Sequence, residues 1–144
     1  MPKSTSASNS ILALIFNATA WADIAENDSS SPATNLYLSL HTADPGVGGS
    51  QTTNETSYTN YARIAIVRTT SGWDVPSGGA TANAALAQFA QCGASGATLT
   101  HVAIGTGASG TGLVLYAGAL TSSLAVANGI QPQFAAGALD VSES

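Results

Sequence analysis

After Pro32 the hydrophobic pattern of this chain changes period and does not change back. Before it, Ile11, Leu14, Ile15, Ala18, Ala22 and Ala25 recur at helical spacing, flanked by Leu12, Phe16 and Trp21. That pattern predicts one amphipathic helix over about residues 9–26. Ser8 or Ser10 can cap its start, and Asn27-Asp28, a serine run and Pro32 can stop it. Residues 1–8 are polar and read as a flexible arm. Beyond Pro32, Leu36-Tyr37-Leu38-Ser39-Leu40 alternates, with the leucines on one face and Tyr37 and Ser39 on the other: a half-buried strand. A turn at Ala43-Asp44-Pro45-Gly46 leads into a long polar loop over residues 47–60. Residues 61–68 read as a strand, with further candidates at 72–75, 84–89, 98–104, 112–116, 118–126 and 134–141.

One helix followed by about seven or eight short strands predicts a mainly β chain, an antiparallel β-sandwich with an N-terminal helix. Jelly-roll and immunoglobulin-like topologies both fit, and the lack of a Cys…Trp…Cys arrangement disfavours the latter. The 144 residues suit one domain, here residues 9–144 behind the arm.

Composition narrows the function. Lys+Arg number 3 and Asp+Glu 8, so charged residues make up 8% of the chain, against roughly 25% in an ordinary soluble domain. Serine, threonine, asparagine, glutamine, alanine and glycine take their place. Free monomers usually stay soluble through mixed surface charge, so this composition points to a component of an assembly. A net charge of −5 argues against a nucleic-acid partner, which would need several cations on one face. The apolar run Ile11–Phe16 is too short for a signal peptide, and no stretch approaches a membrane span. The single cysteine, Cys92, excludes an internal disulfide framework and reads as a small buried side chain.

No catalytic or cofactor signature competes with the structural reading. Residues 105–112, Gly-Thr-Gly-Ala-Ser-Gly-Thr-Gly, contain a literal G-x-G-x-x-G. A dinucleotide site would place a helix after it and an acidic residue about twenty positions on. Here a strand-like run follows, then Gln131-Pro132-Gln133, so a hairpin connection is expected. His41, Asp44 and His101 could serve a metal site or acid–base chemistry, but their spacing demands neither, and Asp44 suits a hydrogen bond to its own turn. No metal, cofactor or catalytic residue is expected. Arg63 and Arg68 stand out because cations are rare. Glu55 and Asp74 lie close enough in sequence to pair with them, and the alternative is a carboxylate on a neighbouring subunit.

Several phrases then read together. Ser39-Leu40-His41-Thr42-Ala43-Asp44-Pro45-Gly46 is followed by Asn54-Glu55-Thr56-Ser57-Tyr58-Thr59-Asn60-Tyr61-Ala62-Arg63, then by Thr100-His101-Val102-Ala103-Ile104-Gly105-Thr106 and Leu115-Tyr116-Ala117-Gly118-Ala119-Leu120. In this order, after Leu14-Ile15-Phe16-Asn17, they resemble a family of small virion proteins of tailed bacteriophages, often labelled tail fibre proteins. The family is similar to capsid cement, or decoration, proteins: jelly-roll domains that pair as dimers and clamp the seams between capsomers. The resemblance spans roughly residues 8–141. It implies a non-enzymatic protein on the capsid surface of the virion, assembled in the host cytoplasm. The implied partners are the major capsid protein and a second copy in a homodimer, with no nucleic acid and no membrane. Contacts are then expected on the helix face, Ile11, Leu14, Ile15 and Ala18, and around Tyr58, Tyr61 and Arg63. The alternative is a tail fibre or tail-tip module that binds a receptor or glycan, which the lack of internal repeats makes the less expected of the two.

Overall fold

The computed structural model describes residues 3–21, 24–25 and 32–143. Helix α1 (Thr5–Phe16) comes first. The strands follow in chain order as β1 (Asn35–His41), β2 (Ile64–Val67), β3 (Ala80–Ala82), β4 (Ala87–Gln88), β5 (Ala97–Gly105), β6 (Val114–Val126), β7 (Gln133–Phe134) and β8 (Asp140–Ser142). One sheet has the order β2-β1-β5-β6, and β3-β8 and β4-β7 form two-stranded ladders. The protein is mainly β, with antiparallel sheets and one N-terminal helix, the sandwich or jelly-roll-like class that the alternation predicts. Where the pattern suggests one domain, the residues group into two compact units. One comprises Met1–Asn35, Ile66–Ala87 and Phe134–Ser144, the other Leu36–Ala65 and Gln88–Gln133.

In the first unit the helix starts earlier and stops sooner than its apolar pattern suggests. Ser4 is the N-cap, its hydroxyl accepting from the Ala7 N–H at 3.2 Å, so residues 5–8 are helix and not arm. Ser8, Leu12 and Phe16 face inward, four residues apart on one face. Ile11, Leu14 and Ile15, the predicted stripe, are half-buried beside them. The aromatic pair sets this rotation: Phe16 meets the fully buried Trp73 edge-on, with ring centroids 4.6 Å apart. Asn17 closes the helix, and Ala18 follows in the left-handed region at φ 52°, so Ala18 lies off the helix. The predicted stop at Asn27-Asp28 lies outside the described residues.

Arg68 explains why the helix can end there. Its Nε donates to the Ile15 carbonyl at 2.6 Å and its Nη2 to the Leu14 carbonyl at 2.7 Å, while Nη1 reaches the Ala33 carbonyl at 2.6 Å. The last carbonyls of a helix have no partner within it and carry its negative dipole end, so a guanidinium there serves both needs. Burial lowers the Arg68 pKa from its ordinary value. The ion pair with Asp74 that sequence proximity allowed is replaced by these carbonyl contacts. Elsewhere in this unit β3 pairs with β8, Thr81 opposite Val141. Asn83, fully buried, donates to the Ala85 and Ala135 carbonyls and accepts from the Leu139 N–H, tying down the returning chain.

In the second unit β1 lies against β5, with Leu38 opposite Ile104 and His41 opposite His101. Leu36, Leu38, Leu40, Tyr58, Phe89, Cys92, Leu99, Ala103 and Ile104 form the core, Cys92 as the small buried residue expected. The two strands foreseen around Gly118 are one, β6, with Gly118 itself paired opposite Val102 of β5. Its register against β5 slips between Leu99 and His101, where Leu124 and Ala119 are the respective partners. Residues 72–75 contribute just a bridge between Trp73 and Asn83. The strand predicted over 134–141 splits into β7 and β8, with Gly137 between them at φ 76°.

Because Arg68 meets three carbonyls in a fork, Arg68→Lys should destabilise the protein nearly as much as Arg68→Ala, by about 1–3 kcal/mol. Urea titration of the two variants checks this, and full retention of stability in the lysine variant would contradict it.

Candidate functional site

At one end of the second unit the loop after β1 meets the hairpin loop joining β5 to β6. Ser50 bridges Leu113, and the Gln51 N–H donates to the Gly112 carbonyl at 2.8 Å. Each loop is shaped locally first. Asp44 accepts from the Gly46 N–H at 2.8 Å, the turn bond expected of it, and Asn54 donates to the Asp44 carbonyl at 2.9 Å.

Gln51 then joins the loops. Although it sits in a polar stretch, it is fully buried. Its amide donates to the Tyr37 carbonyl at 3.2 Å and accepts from the Gly107 N–H at 2.8 Å. A Cβ on Gly105 would come within 2.3 Å of the Gln51 amide carbon, and one on Gly112 within 2.1 Å of its oxygen. Gly105 and Gly112, at the two ends of the glycine-rich run, therefore make room for a glutamine side chain. The segment is a hairpin connection, as predicted, and β6 follows it where a dinucleotide site would have a helix.

Arg63 holds the same hairpin loop from beneath. Its Nε and Nη2 donate to the two carboxylate oxygens of Glu55, each at 2.7 Å. Its Nη1 reaches the Gly107 carbonyl at 2.9 Å and Nη2 the Gly110 carbonyl at 2.7 Å. The pairing of Arg63 with Glu55 is thus internal, and the Arg63 side chain is 3% exposed. The Glu55 carboxylate raises the Arg63 pKa further, so the guanidinium stays charged.

The tyrosines extend this network. The Tyr61 hydroxyl donates to Glu55 at 2.8 Å and accepts from the Leu40 N–H at 3.0 Å, and burial pushes its phenol pKa upward. Its ring lies edge-on to Tyr58, centroids 5.3 Å apart, and stacks near Phe89 at 6.2 Å. Tyr58 is 2% exposed and donates to the Ala90 carbonyl. Tyr58, Tyr61 and Arg63 therefore come together inside the fold, linked through Glu55 and ring packing. Ile11, Leu14, Ile15 and Ala18 belong to the other unit and are half-buried there.

Both histidines are held by hydrogen bonds to nearby groups. His41 Nδ1 is 2.9 Å from the Thr53 carbonyl, which can only accept, so Nδ1 carries the proton and Nε2 accepts from the Ser39 hydroxyl at 2.9 Å. Ser39 and His41 are both fully buried, so this Ser-His pair is closed to a substrate. His101, opposite His41 on β5, is 2.9 Å from the Thr100 hydroxyl through Nδ1. Among the described residues, no group of three or more His, Cys, Asp or Glu side chains is placed to hold a metal ion.

The hairpin loop that these supports present to solvent is neutral. Residues 108–111 are exposed, and so are the apolar side chains of Val47 and Leu113. Sequence reasoning missed Gln51. The signal available for it was the glycine run, which required something to fill the space a Cβ would take.

Two outcomes follow from the buried groups. Glu55→Gln leaves the Arg63 charge without its counterion and should cost about 3 kcal/mol in denaturant unfolding, with faster amide exchange at Gly107. Burial lowers the His41 pKa from 6.5, outweighing the hydrogen bond to Thr53 and the Glu55 charge. Its neutral form is therefore favoured by folding, and its contribution is complete above pH 6.5. Below that pH the unfolded chain takes up the proton first, so stability falls until the folded ring titrates as well. A Tm series across this window should show the decline, and His41→Gln should flatten it.

Comparison with known proteins bears on where such a surface works. No curated protein matches the sequence. Residues 2–142, nearly the whole chain, match the family Gp80, podophage GP4 fiber I protein gp80. This match overturns the capsid-surface location and the major capsid protein as partner, and the homodimer invoked to bridge capsomers goes with them. The lack of internal repeats, which made a fibre role the less expected reading, is outweighed by the same match. The chain is a structural phage protein and belongs to the Gp80 family, podophage GP4 fiber I protein gp80.

Proposed function

We propose that this protein is a non-enzymatic component of a phage tail fibre whose clamped loops meet the surface of the host cell. The family match supports the fibre role. The observation that carries the contact surface is the double clamp on the hairpin loop, from Gln51 and from Arg63. Loops on a rigid scaffold are common binding surfaces, and a loop held before contact loses less entropy on binding. Tyr58, Tyr61 and Arg63 act from below the contact, shaping the loop that touches the receptor.

Adsorption competition tests this reading. Excess purified protein should slow attachment of the intact phage to its host. Ser109→Glu, placed on the exposed loop, should weaken that competition at least tenfold without lowering Tm. Adsorption untouched by a large excess of the folded wild-type protein would remove the proposal.

A further inference from the structure

We propose that a groove along α1 in the first unit binds a neutral saccharide. The proposal rests on the fibre reading for where such a ligand would be met, and it names a surface separate from the clamped loops. The groove has a volume of about 320 Å³, at the small end of the range for ligand sites. Ser6, Asn9, Ser10, Ala13 and Asn17 line one wall. They recur at the three- and four-residue spacing that places side chains on one helix face. Thr70, Val75 and Pro76 face them from the loop on the other side.

The two asparagines are held in place before any ligand arrives. Asn9 Oδ1 accepts from the Gly79 N–H at 2.6 Å, which leaves the Asn9 amide N–H groups as donors. Asn17 is held the opposite way: its Nδ2 donates to the Trp73 carbonyl at 3.2 Å, which leaves Oδ1 as an acceptor. Because one partner can only donate and the other only accept, the orientation of each amide is decided by chemistry. A rise of about 1.5 Å per residue puts these two groups about 12 Å apart along the helix, room for more than one sugar ring. The hydroxyls of Ser6, Ser10 and Thr70 can each donate and accept.

The lining chemistry selects the ligand class. Among the described residues no lining side chain is ionisable, so an anionic or cationic ligand finds no counterion there. An extended peptide would seek an open strand edge or deep side-chain pockets, and this wall is a helix with small side chains. A neutral saccharide offers hydroxyls to the amides and hydroxyls, and its apolar ring faces suit Ala13, Val75 and Pro76.

The full-length chain, fluorescently labelled, should be applied to a printed array of neutral and acidic bacterial oligosaccharides. The expected result is retention on neutral glycans alone, weakened at least tenfold by Ser6→Trp and by Thr70→Trp. Both are exposed positions on opposite walls, and unchanged Tm would show that neither variant acts by unfolding. A blank array, binding to acidic glycans alone, or binding unaffected by both substitutions would overturn the proposal. A blank array with adsorption still blocked removes the groove and leaves the loop reading standing. Glycan binding with adsorption untouched does the reverse.

Discussion

Arg63 sits where three parts of the second unit meet: Glu55 in the long loop, Tyr61 through that carboxylate, and the hairpin loop through the Gly107 and Gly110 carbonyls. A neutral side chain could not satisfy this set, because the loop carbonyls can only accept and the carboxylate is charged. Arg68 works the same way in the first unit, closing the end of α1 with donors from a planar fork. With Lys+Arg only 3 in the whole chain, both arginines donate to backbone carbonyls. Lys3 takes a different role, pairing with Glu143.

Neutral amides do the remaining tying. Gln51 in one unit and Asn83 in the other are fully buried, and each reaches chain segments far away in sequence. A buried amide with its donors and acceptors met costs less to desolvate than an ion. That economy suits a chain with no Asp, Glu, Lys or Arg between Asp74 and Asp140. The same stretch supplies the hairpin loop and all of β6, an edge strand of the four-stranded sheet, so neither carries an Asp, Glu, Lys or Arg.

In the second unit the Arg63–Glu55 pair lies below the hairpin loop and fixes its shape, and the small neutral side chains of residues 108–111 lie above it. The composition, which points to a component of an assembly, is as much at home in a fibre as in a shell. Scarcity of charge reports that a surface meets other surfaces and does not say which ones.

By itself, the sequence determined the mainly β class, the single N-terminal helix, β1, β5 and the turn at Asp44. Each of these depends on local period or on a side chain bonding its own backbone. It also made Glu55 a candidate partner for Arg63 and the glycine run a hairpin. Tertiary structure decided the rest. Helix α1 turned its Phe16 face inward because Trp73, far away in the chain, supplied the ring to pack against, and it ended at Phe16 with Arg68 to take its carbonyls. Tyr58, Tyr61 and Arg63 were legible as a group, but their burial depended on the hairpin loop and Phe89 closing over them. Gln51 was hidden for the same reason: its partners, Tyr37 in β1 and Gly107 in the hairpin loop, meet only in the folded chain. Local preference sets which elements form, whereas burial and long-range hydrogen bonding set which face of each element is spent inside.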